Sequence, residues 1–155
     1  MHRVFIALWL VFATFGCAIT TTEVMSQELL AKHIESIAGR IEGSLNVIEF
    51  QYESVSIACV SDSTHNRMRL ITSIAKVDSL RMIDLETLLT ANFHTTLDAR
   101  YAISEGVIYA AYLHPLSSLS REQLESAIRQ VSALSRNFGS SYSIGELMFG
   151  SSQHP

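Results

Sequence analysis

The side chains that could do chemistry in this 155-residue chain are few and scattered. Past residue 18 the histidines are His33, His65, His94, His114 and His154. No two of them stand four residues apart, the spacing that sets two zinc ligands on one helical face. Solvated or locally bonded imidazoles are the reading that follows. The serines include no Gly-x-Ser-x-Gly elbow, and there is neither a glycine-rich phosphate loop nor a dinucleotide fingerprint. Glu49, Gln51 and Glu53 alternate with apolar residues, which describes the wet face of a strand and not a general acid/base pair. Cys59 lies inside Val55-Ser56-Ile57-Ala58-Cys59-Val60, where an inert buried thiol is expected. These residue types lead to no enzyme mechanism, no cofactor and no metal.

The tyrosines are the remaining side chains of interest. Tyr101, Tyr109 and Tyr112 lie on predicted strands and form the candidate protein-binding or dimer face, because tyrosine joins a rigid apolar body to a polar tip.

Several elements must position these groups. His2 and Arg3 precede an apolar run from Val4 to Ala18, with Gly16 and Ala18 as small residues at its exit. The run is shorter than the ~20 residues that span a bilayer, so residues 1–18 read as a secretion signal cleaved near Ala18, giving an exported, periplasmic chain that begins at Ile19. Membrane attachment would require an uncleaved leader or an acylated Cys17. Cleavage leaves 137 of the 155 residues, enough for one domain over 19–150, followed by a disordered tail at 151–155. That mature chain carries 10 basic and 15 acidic side chains spread along its length, which speaks against nucleic acid as partner. With Cys59 its one cysteine, no internal disulfide can form.

Leu30, Ile34, Ile37, Ile41 and Leu45 form a helical stripe that begins after Ser26 and closes at Gly43-Ser44. Ile48-Phe50-Tyr52, Val55–Val60 and Met68–Ile74 read as three strands of an antiparallel meander. A short helix from Leu85 to Phe93 follows, capped by Asp84, with Leu85, Leu88 and Leu89 facing inward. Residues 100–113 form a hairpin about Glu105-Gly106, and its second arm is apolar on both faces, as an inner strand requires. Ser120-Arg121-Glu122-Gln123 is a capping box that opens a last helix striped by Leu124, Ile128, Val131, Leu134 and Phe138. After Gly139, residues 144–149 make a further turn. The fold class is therefore α+β, in the order α-β-β-β-α-β-β-α.

That order, the segment Leu85-Glu86-Thr87-Leu88-Leu89-Thr90-Ala91-Asn92-Phe93, the hairpin Tyr101–Leu113, the break at Pro115 and the long last helix resemble the type III secretion chaperone-like family, of the CesT class and its YbjN-like relatives. The resemblance implies a non-enzymatic scaffold that binds a polypeptide partner and forms a homodimer. The leader departs from the family, whose secretion chaperones act in the cytoplasm. The rival expectation is a periplasmic small-ligand carrier or enzyme with a site assembled from distant residues; a deep polar-lined cavity would favour it, and a shallow groove or open strand edge would favour the binding module.

Overall fold

The computed structural model describes residues 23–80 and 82–143, with the side chains of 82–84 excepted. The expected leader, Cys17, the turn at 144–149 and the tail at 151–155 lie outside the described residues. Helix α1 spans Gln27–Ala38, β1 Ile41–Ser44, β2 Val47–Tyr52, β3 Val55–Asp62 and β4 Arg67–Lys76. A 3-10 turn at Val77–Ser79 leads to α2, Met82–His94; β5, Arg100–Ser104, β6, Val107–His114, and α3, Arg121–Arg136, complete the chain. The strands form one antiparallel sheet in the order β1-β2-β3-β4-β6-β5. This is the α+β architecture expected, with one more strand at its start.

The extra strand exists because α1 stops early. Ser26 caps its start by accepting from the Leu29 N–H, but Gly39 takes φ 85° and ends the helix there. The helical stripe thus holds only through Leu30, Ile34 and Ile37, and Ile41 enters β1. Gly43 does not close a helix. It sits at φ 101°, where a Cβ would stand 2.2 Å from the Val47 carbonyl oxygen, so the β1–β2 hairpin needs glycine at that position. The second helix also begins earlier than expected, at Met82, so Asp84 lies inside it.

Period-two alternation decides which strand residues meet the helices. Ile48 and Phe50 of β2, Ile57 and Cys59 of β3, Met68 and Leu70 of β4, and Ile108, Ala110 and Tyr112 of β6 are buried in one core. Leu30 and Ile34 of α1 and Leu124, Ile128, Val131 and Leu134 of α3 close over that face. The capping box forms as the sequence requires: the Gln123 N–H donates to the Ser120 hydroxyl, and the Ser120 N–H donates to the Gln123 side-chain oxygen. The Glu105-Gly106 turn joins β5 to β6, both residues having positive φ, as a two-residue hairpin demands.

Candidate protein-contact surfaces

The three candidate tyrosines do not share one surface. Tyr101 and Tyr112 point into the helix-covered core, while Tyr109, three residues before Tyr112 on β6, lies half-buried on the opposite face. Burial pushes both inward phenols above their ordinary pKa, and Tyr101 is raised further by Tyr142 beside it. The Tyr101 hydroxyl donates to the Leu134 carbonyl of α3 at 2.9 Å, so it pins strand to helix and is not free to meet a partner.

Sequence reasoning missed the residues at the β5 end of the sheet. Asn92 of α2 brackets the backbone of Tyr101: its amide nitrogen donates to the Tyr101 carbonyl at 2.9 Å and its amide oxygen accepts from the Tyr101 N–H at 2.8 Å. One side chain therefore caps this position on the outer edge of β5 and docks α2 against it. Gln130 of α3 fixes the preceding loop, its side-chain oxygen accepting from the N–H groups of Asp98 and Ala99. Held in this way, α2 turns Leu88 and Ala91 into the core and leaves Leu89 71% and Phe93 76% exposed. Leu89 was expected to face inward. It falls on the outer side because Leu88 and Ala91, three apart, already define the buried stripe. Ile103 on β5, 54% exposed, adds to the apolar surface at this end of the fold. Leu85, Leu88 and Leu89 have the i, i+3, i+4 spacing of an inward stripe, so the sequence alone carried no signal that Leu89 turns out.

The second surface is the face of the sheet that none of the described helices covers. Across its middle runs a groove of about 500 Å³, lined among others by Glu49, Gln51, Ala58, Ile71, Ser73 and Tyr109. It lies open over the strands, and the polar lining residues Arg40, Glu42, Glu49, Gln51 and Ser73 are exposed to solvent, unlike those of an enclosed ligand pocket. Arg40 pairs with Glu42 at 2.9 Å at one margin, while Arg100 at the β5 side folds back onto Thr96 and the carbonyls of Leu97 and Ala99.

Other chemistry is placed as follows. Cys59 is fully buried, and burial pushes its thiol up to about 12. His65 contacts the Asp62 carboxylate at 2.6 Å in the exposed β3–β4 turn. Glu53, expected on a wet strand face, stands in the β2–β3 turn and pairs with Arg136 of α3 at 2.8 Å. Among the described residues no group of three His, Cys, Asp or Glu lies close enough to hold a metal, and no helix is long and apolar enough to cross a membrane.

No protein-family model and no curated protein sequence matches the chain. Solved structures do. The HopA1–SchA chaperone–effector complex contains a chain that superposes with a TM-score of 0.57 at 14% identity, over 72% of this chain and 91% of that one. The ExsC–ExsE complex gives 0.54 at 15% identity, over 72% and 92%. The Yersinia pestis type III secretion chaperone SycH, in complex with a fragment of YscM2, gives 0.54 at 14% identity, over 73% and 98%. With its helix, meander, helix, hairpin and helix, the chain has the fold of the type III secretion chaperones.

Proposed function

We propose that this chain is an exported, non-enzymatic module that holds a polypeptide partner and associates with a second copy of itself. The observation that carries the reading is the apolar surface of α2 and β5. Leu89 and Phe93 stand one helical turn apart on α2, 71% and 76% exposed, and β5, the strand against which Asn92 docks that helix, carries Ile103 54% exposed. An exposed apolar cluster of this kind on a small domain marks a protein contact. A helix face presented to its own copy satisfies itself by two-fold symmetry, with Phe93 of each copy meeting the α2 surface of the other. Two of the structurally similar chains were solved bound to protein partners and a third with a fragment of one, which supports polypeptide holding. Export rests on the leader at 1–18.

The test uses the chain produced with its own leader. Intact mass of the protein from the cell envelope is expected to give an N-terminus near Ile19; a cytoplasmic product that keeps Met1 would overturn the export. A photo-crosslinking residue in place of Leu89 is expected to yield adducts to a second copy and to another polypeptide. Absence of any protein adduct there, with the same residue at exposed Thr64 of the β3–β4 turn as the background control, would overturn the contact surface.

A further inference from the structure

The uncovered face of the sheet carries its own complementarity. Strand register sets six exposed or half-exposed residues in a block of two rows. One row runs Val47, Val60, Arg69 across β2, β3 and β4, and the next runs Glu49, Ala58, Ile71. The two charges therefore occupy opposite corners, about 12 Å apart for strands ~4.8 Å apart and ~3.4 Å per residue. The other diagonal is apolar, from Val47 through Val60 and Ala58 to Ile71. Neither Glu49 nor Arg69 makes an ion pair or a side-chain hydrogen bond among the described residues, whereas the neighbouring Glu42 is taken by Arg40 and Arg100 by its own loop.

We propose that this face binds a second copy of the chain about a two-fold axis lying in the plane of the face, close to the Val47 to Ile71 diagonal. Rotation about that line lays the apolar diagonal on its own copy. It carries Glu49 onto the partner's Arg69 and Arg69 onto the partner's Glu49, so one operation forms both ion pairs. The strands of the two copies then cross steeply, as in orthogonally packed sheets. Leu113, 58% exposed and opposite Arg69 on β6, extends the apolar contact at the rim. A single-sign partner fits less well, because whichever charge it brings meets one corner of its own sign. The inference rests on the reading of the chain as self-associating and adds a contact separate from the α2–β5 surface; used together, the two contacts would build an assembly larger than a dimer.

Charge reversal gives a test that a merely structural role would not pass. Glu49→Arg leaves two like positive corners, and Arg69→Glu leaves two like negative ones. Each variant alone is expected to associate through this face at least tenfold more weakly in sedimentation velocity, and an equimolar mixture of the two is expected to assemble as a heterocomplex with attractive pairs at both corners. Far-ultraviolet circular dichroism confirms that each variant is folded. The experiment is run in a Phe93→Glu background, which removes the α2–β5 contact. Variants that associate like their parent, or a mixture no tighter than its components, would overturn this inference. Unchanged assembly on Phe93→Glu alone would count against the α2–β5 contact and leave this one standing.

Discussion

One sheet presents two faces built from the same strands, and they differ in what their neighbours do for them. On the helix-covered face Ile57, Cys59, Leu70 and Ile108 are sealed beneath α1 and α3, and Thr72 is one of few buried polar side chains among them. On the open face Val60, Ile71 and Leu113 alternate in register with Glu49, Gln51 and Arg69, so apolar area and charge are interleaved. The first face holds the fold together, and a charge placed there has no water to meet. The second contributes little to folding and is free to be specified for contact. The lesson is that an apolar strand does not announce its role by composition: β6 carries Tyr109 outward and Tyr112 inward within one turn of the pleat pattern.

The sharpest way to break the comparison is to put the same charge on both sides of β6. Tyr112→Glu buries a carboxylate among Leu70 and its core neighbours and is expected to cost at least ~3 kcal/mol in urea denaturation. Tyr109→Glu, on the open face, is expected to change stability by no more than about 1 kcal/mol. Equal losses at the two positions would contradict the assignment of faces.

A smaller effect sharpens it on β3. Cys59→Ser is expected to cost ~1–3 kcal/mol by burying a hydroxyl, and Val60→Ser on the next residue less than about 1 kcal/mol. The thiol also ties stability to pH. Its folded pKa, near 12, is raised above the ordinary value near 9, so the neutral thiol favours the folded state. That contribution is fully present below pH 9 and is lost as pH climbs from about 9 toward 12, because the unfolded chain ionises first. Comparing the alkaline arm of the stability curve with that of Cys59→Ala isolates it; the variant is expected to fall less steeply over that window. Rapid labelling of native Cys59 by a thiol reagent at neutral pH would contradict its burial.

Much of this fold was legible in the sequence because its signals are local. The Ser120–Gln123 capping box, the Glu105-Gly106 turn and the alternation of Ile48 and Phe50 with Glu49 and Gln51 are each set by residues within a few positions of one another. The first helix was overextended because Ile41 and Leu45 continue a helical spacing, whereas the backbone conformation at Gly39 overrides that spacing. The contact surfaces were less legible. Whether Leu89 or Leu88 turns inward depends on Asn92 clasping Tyr101, nine residues away, and the corner charges of the open face meet only through the register of three strands. Tyrosine type alone could not separate Tyr109 from Tyr101, because inward and outward positions of a two-faced apolar strand look alike until its neighbours are known.

The most direct test of the central claim, that exposed apolar residues of α2 make this chain a binding module, is sedimentation velocity of the purified chain and its Phe93→Glu variant across the micromolar range. The wild-type chain is expected to self-associate with rising concentration, and the variant is expected to lose the α2–β5 contact and sediment as a smaller species with an unchanged circular dichroism spectrum. A wild-type chain that stays monomeric throughout, or a folded variant that assembles as the wild type does, would contradict the claim.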